Sequence, residues 1–209
     1  MSPLYGAAFL WLVAAILWWS GWREETTENL PGWAAGLFLA VWPLAWLGKV
    51  TIADDLSVNG AWVWTLFSAV LAGARMPAAR RWTSASGGLL IGSVAILAGR
   101  LIFIPSGFEP DGSSWAIAAL IGLLAGLLLR SASEQAVAVS VCLVINEVAH
   151  VLLRAQADTL PAGAPDEGLQ AWWIAILCAR LWTTFAKAAG EQGRKWAVRS
   201  GGRRGGQRS

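Results

Sequence analysis

The chemistry this sequence offers lies in one apolar stretch, Val141-Cys142-Leu143-Val144-Ile145-Asn146-Glu147-Val148-Ala149-His150-Val151-Leu152-Leu153-Arg154. Asn146, Glu147, His150 and Arg154 follow one another at steps of one, three and four, so on a helix of 3.6 residues per turn they form a single polar stripe. His150 is the chain's only histidine. A carboxylate surrounded by apolar side chains must meet a cation, hold a proton or contact water. Two arginines inside other apolar stretches, Arg100 and Arg180, are the available cations, and Glu147–Arg100 and Glu147–Arg180 pairs are both compatible with the spacing. Such a constellation serves as an ion-pair network locking helices together, as a binding or translocation site for a proton, ion or small polar solute, or as a catalytic centre.

Metal chemistry fits poorly. Glu-x-x-His occurs in di-iron bundles, but those require further carboxylates from facing helices, and no second Asp or Glu falls within an apolar stretch here. The sequence has no Gly-x-Ser-x-Gly and no His-Glu-x-x-His. Cys142 and Cys178 lack zinc-type spacing and read as small packing residues. No cofactor is implied, and the balance favours a non-enzymatic protein.

The elements that must position these residues are long and apolar. Of 209 residues, 56% are hydrophobic and 14% charged, against roughly 25% charged in typical globular chains. A bilayer-spanning helix needs about 20 mostly apolar residues. Seven stretches are candidates, the third and fifth of them short: Pro3–Trp22, Leu30–Gly48, Val58–Ala74, Gly87–Ile104, Trp115–Leu129, Ala136–Leu153 and Leu169–Ala186. The expected fold is therefore an all-α, polytopic transmembrane bundle over residues 1–186, followed by a basic, flexible cytoplasmic tail over 187–209. The first stretch is too long for a signal-peptide core and reads as a retained span.

Charge sets the orientation. With seven crossings, Arg23, Arg75, Arg80, Arg81, Arg130 and the seven Lys and Arg of the tail share one side, and Lys49 and Arg154 lie on the other. Lys and Arg of short loops stay cytoplasmic, so the N-terminus is expected outside and the C-terminus inside. Six crossings, the alternative, would separate the tail from the Arg75–Arg81 loop. Asp54, Asp55, Glu109, Asp111, Asp158, Asp166 and Glu167 then fall in outer loops. Fifteen tryptophans suit the membrane–water boundary, with Trp18, Trp19, Trp22, Trp33 and Trp82 marking the inner side. Trp46, Trp62, Trp64, Trp115, Trp172 and Trp173 mark the outer one.

Gly32-x-x-x-Gly36, Gly88-x-x-x-Gly92 and Gly122-x-x-x-Gly126 each put two glycines on one helix face, where a neighbouring backbone can approach, either within the bundle or across a homo-oligomer. Pro43 removes a backbone N–H inside the second stretch and is expected to kink it near Leu39. The tail's basic residues are expected against anionic lipid headgroups. Its Arg-Gly-Gly pattern beside a membrane does not amount to a nucleic-acid site.

Arg100-Leu101 near the end of a span, the Glu109-Pro110-Asp111 loop, the polar Asn146-Glu147 in the next-but-one span and the basic tail together resemble the YphA family of small bacterial multi-spanning membrane proteins. The resemblance covers nearly the whole chain. It implies a bacterial plasma-membrane protein and carries over no catalytic residue. The functional expectation is binding or translocation of a proton, ion or small polar solute at Glu147, His150, Asn146, Arg100 and Arg180. The alternative is a scaffold or accessory subunit packing against another membrane protein.

Overall fold

In a computed structural model the chain folds as an all-α bundle, described for residues 3–21, 31–53, 56–103, 110–156 and 166–202. Seven helices are present among these residues: α1 Pro3–Trp19, α2 Gly32–Trp46, α3 Gly60–Ala74, α4 Ala78–Ala98, α5 Pro110–Leu128, α6 Ala132–Gln156 and α7 Asp166–Gly202. A two-stranded antiparallel hairpin, β1 Lys49–Ala53 and β2 Leu56–Asn59, joins α2 to α3, where the sequence had suggested only a loop. Two stretches are long and apolar enough to cross a bilayer, Ala78–Leu101 and Ala132–Ala149. The apolar helices Tyr5–Trp19, Gly32–Trp46, Gly60–Ala74 and Ser114–Leu128 are shorter. The expected break at Ala186 is absent, because α7 runs on helically to Gly202. The turn acids Asp54, Asp55, Glu109 and Asp158, and the Arg-Gly-Gly residues from 203 onward, lie outside the described residues.

Helix starts follow local chemistry. Asn59 Oδ1 accepts from Ala61 N at 3.0 Å and caps α3. At α6, Ser131 and Glu134 form a reciprocal capping box: Glu134 N donates to Ser131 Oγ at 3.3 Å and Ser131 N to Glu134 Oε2 at 3.4 Å. Side chain and backbone thus exchange two otherwise orphaned donors. Gly60 must be glycine, since a Cβ there would fall 2.5 Å from Ala45 O and block the closure of α2, hairpin and α3.

Two close crossings organise the bundle. A Cβ on Gly88 would lie 2.5 Å from Ala138 O, and one on Gly92 would lie 3.5 Å from Cys142 Cα. The match advances in the same direction on both helices, so α4 and α6 run parallel. In the same way Gly122 sits on Ala175 and Cys178, and Gly126 on Ala179 and Trp182, so α5 and α7 run parallel. Both glycine pairs are therefore used inside the bundle. Gly36 faces Trp18 of α1, so this pair too has an internal contact. The hairpin marks one end of the bundle. Arg75, Arg80, Arg81 and Arg130 mark the other, here called the basic end.

The core is built from tryptophans and small residues. Trp42, Trp62, Trp172 and Trp173 are buried with Ala7, Ala61, Ala125, Ala175 and Ala179. Trp42 stacks on Trp11 at 6.1 Å and meets Trp173 edge-on at 5.6 Å. Trp172 Nε1 donates to Ser140 Oγ at 3.0 Å, tying α7 to α6. Trp62, Trp172 and Trp173 are thus core residues, not the boundary markers their positions near span ends suggested. Trp19, Trp33, Trp82 and Trp115 are exposed.

The helix α2 passes through Pro43, and the carbonyl that proline leaves without a helical donor is that of Leu39. Trp11 Nε1 donates to Leu39 O at 3.0 Å. One residue earlier, Phe38 O accepts from Trp64 Nε1 at 3.2 Å. Indoles from α1 and α3 therefore hold the proline-containing turn from both sides.

Candidate functional site

The five residues singled out by spacing do not converge. Asn146 and Glu147 are half-buried near the hairpin end of α6. Asn146 Nδ2 lies 3.6 Å from Cys142 Sγ, one turn back on its own helix. Glu147 reaches the start of α7: a Cβ on Gly168 would lie 3.3 Å from Glu147 Oε1 and 3.7 Å from Trp62 Cζ2. Gly168 is in the first turn of α7, where backbone N–H groups lack helical acceptors and the dipole favours a negative charge. His150 is one turn further along α6, and its side chain lies outside those described. Arg100 sits in a π-helical turn, Gly99–Phe103, that ends α4, and is exposed.

Arg180 lies at the opposite end. It is 12 residues from Gly168 on α7, about 18 Å at 1.5 Å per residue. Its neighbour Ala179 packs on Gly126, in the last turn of α5. Arg180 is therefore level with the basic end.

Around Arg180 the helices leave a cavity of about 510 Å³, walled by α1, α2, α3, α6 and α7. Trp33 and Arg75 line it at the basic end, and Phe38, Trp172 and Trp173 line it further from that end. The walls are almost wholly apolar, and two of the hydroxyls on them are used locally. Thr65 Oγ1 donates to Ala61 O at 2.7 Å, and Thr184 Oγ1 to Arg180 O at 3.0 Å, each satisfying its donor on its own helix. Two cations punctuate this surface. Arg180 is buried, and Arg75 is exposed, with its guanidinium 5.4 Å from the Trp33 ring centroid. Among the described lining residues there is no carboxylate.

Of the sequence candidates only Arg180 belongs to this cavity. Arg75 was read purely as an orienting charge, and Trp33 as a boundary marker. Their i to i+42 relation carries no periodic signal, so the pairing emerges only when α2 and α3 are folded back on each other by the hairpin. Cys142 and Cys178 are free thiols at the two glycine crossings. Among the described residues no group of three or more His, Cys, Asp or Glu comes together. No protein-family model, curated protein or solved structure matches the chain.

Proposed function

We propose that this chain is a multi-pass protein of a bacterial plasma membrane, crossing it seven times with its N-terminus outside and its C-terminus in the cytoplasm. We further propose that it binds a ligand within the membrane rather than transforming one. The observation that carries this reading is the outward-facing surface. Every one of the seven described helices turns large apolar side chains outward, among them Phe9, Leu37, Phe67, Leu97, Leu127, Val148 and Phe185. Meanwhile Thr65, Ser84, Gln135 and Ser140 are buried. The largest apolar patch on a typical soluble monomer is roughly 300–600 Å², and a belt shared by seven helices suits lipid instead. The resemblance to the YphA family supports the bacterial setting.

Helices of 15 residues such as α2 and α3 cover about 22 Å at 1.5 Å per residue, short of a hydrocarbon core of about 30 Å. Local thinning of the bilayer and flanking interfacial side chains accommodate that shortfall. The binding site is the cavity at Arg180. Glu147, beside the first turn of α7, has the simpler role of an anchor for that helix. The scaffold alternative draws less support, because Gly36, Gly88, Gly92, Gly122 and Gly126 already meet α1, α6 and α7.

Topology is tested with reporter fusions. A reporter after Trp196 should be active only in the cytoplasm, and one inserted at Gly163 only outside. Both reporters scoring in the same compartment would overturn the seven-span reading.

A further inference from the structure

We propose that the cavity takes up an uncharged, lipid-soluble molecule from the surrounding bilayer, a long hydrocarbon carrying a carbonyl oxygen that accepts from Trp173 Nε1. This rests on the membrane reading above and names the ligand class of that site. Three observations select it.

The first is volume set against polarity. A space of about 510 Å³ is far larger than the water-sized gaps that close-packed interiors tolerate, and the cost of an empty cavity grows with its volume. Something therefore fills it. Water is a poor filler, because each molecule needs about two to four polar partners. The walls are almost wholly apolar, and the Thr65 and Thr184 hydroxyls already donate to their own helices. Hydrocarbon needs no such partners and gains dispersion contact with the walls.

The second is length and access. The lining runs from Trp172 to Thr184 along α7, 12 residues or about 18 Å, which suits an extended chain better than a compact solute. Leu37, Leu71 and Leu181 belong to this lining and are each about half exposed, so the protein does not seal the cavity. In the membrane reading these leucines face hydrocarbon. A lipid-soluble molecule then enters past α2, α3 and α7 without crossing water.

The third is one unsatisfied donor. Trp173 is 3% exposed and lines the cavity. Its Nε1–H has no acceptor among the described residues. The neighbouring indoles are engaged, Trp172 with Ser140 Oγ at 3.0 Å and Trp64 with Phe38 O at 3.2 Å. A buried donor left unmade costs free energy that an incoming acceptor recovers. A carbonyl accepts without bringing a donor that an apolar wall would leave unpaired, which favours an ester or ketone over an alcohol or an acid.

The test uses the full chain purified in neutral detergent, with its thermal midpoint followed during titration by four probes: methyl oleate, 9-octadecene, sodium oleate and decylubiquinone. Methyl oleate and octadecene share a chain and differ in the carbonyl. Methyl oleate should raise the midpoint and half-saturate about three- to tenfold below octadecene, the range expected of one net hydrogen bond. Sodium oleate should bind more weakly than its methyl ester. Trp173→Phe, which keeps a ring and removes the donor, should bring methyl oleate to the octadecene value and leave octadecene unchanged. Ala72→Phe, which fills the cavity from its wall, should remove the response to every probe. Decylubiquinone separates the sources: a response matching methyl oleate marks a ring ketone as an accepted ligand, and its absence assigns the site to lipid esters.

Equal half-saturation by methyl oleate and octadecene in the unmodified chain would overturn the proposal, and that comparison decides even if Trp173→Phe does not fold. So would a methyl oleate response retained in Ala72→Phe, or tighter binding of oleate than of its ester. A chain that stays in membranes until detergent is added but responds to no probe refutes this assignment and leaves the membrane reading standing. A chain that is soluble without detergent refutes both.

Discussion

Replacing Trp11 by Phe should cost stability only because Pro43 is present, and the size of that dependence follows from one carbonyl. In a regular helix the N–H of residue 43 would bond Leu39 O. Proline has no N–H, and Trp11 Nε1 takes its place at 3.0 Å. Phe keeps a ring in the position but removes the donor. Leaving a buried carbonyl without its donor costs about 1–3 kcal/mol, moderated in membrane interiors to about 0.6–2 kcal/mol for interhelical bonds. The smaller ring also weakens the stack on Trp42, whose centroid is 6.1 Å away, by less than the roughly 0.5–1.5 kcal/mol of a whole aromatic pair. The stacking loss is the same whatever occupies position 43. The carbonyl loss is not, because in Pro43→Ala the new N–H bonds Leu39 O from within α2. A double-mutant cycle of Trp11→Phe and Pro43→Ala, with unfolding free energies measured in mixed detergent micelles, should therefore give a coupling of about 1 kcal/mol. Trp64→Phe is the control. Its acceptor, Phe38 O, lies four residues before Trp42, which has its own N–H, so its coupling to Pro43 should be near zero. If Trp11→Phe costs the same in both backgrounds, the indole is only a packing element and the argument fails.

Other consequences are accessible to the same assay. Gly122→Ala should destabilise by about 1–3 kcal/mol through overpacking, since its Cβ would fall 2.9 Å from Ala175 Cα. Gly190→Ala, with nothing within 4 Å, should stabilise α7 by about 0.5–1 kcal/mol; equal effects of the two would contradict the described crossing. Glu134→Ala removes the capping box and should cost about 1 kcal/mol. Arg80→Ala, which loses the 3.8 Å pair to Glu134 from a largely exposed side chain, should cost less than about 0.5 kcal/mol. Glu147→Gln should weaken the anchor of α7 by about 0.3–1 kcal/mol; no change in the unfolding free energy would contradict the anchor.

What could be read in advance divides along physical lines. Helix existence was legible because long apolar stretches separated by Gly, Pro and charge admit few other structures, and seven helices lie where the seven stretches do. The Gly88 and Gly122 pairs were legible as close-approach faces, since two glycines four residues apart leave a groove whatever fills it. The partners, α6 and α7, were not, because small residues such as Ala138 and Ala175 are too common to identify one another. The end of α7 was misjudged where the apolar stretch ran out and the basic tail was expected to be flexible. Lys187 and Arg194 lie on an unbroken helix, since neither residue opposes helical geometry.

The candidate site was misread for a more general reason. A polar stripe within an apolar helix is conspicuous, and Glu147 drew Arg100 and Arg180 to it as partners. Yet a carboxylate can also be satisfied by the start of a helix, and the first turn of α7 stands beside Glu147. That option is invisible in a search for opposite charges, because peptide N–H groups are the same at every position. The cavity has the reverse character. Its walls are ordinary alanine, leucine and tryptophan, with Arg75 and Arg180 among them. Such a place arises from how α2 and α3 close on α1 and α7, so it belongs to packing and not to any motif. The same reasoning separates the two arginines of the original network. Arg100, exposed in its π turn, needs no partner from the bundle. Arg180 is buried level with the basic end, about 18 Å along α7 from the turn beside Glu147, so it is too far away to meet that carboxylate directly.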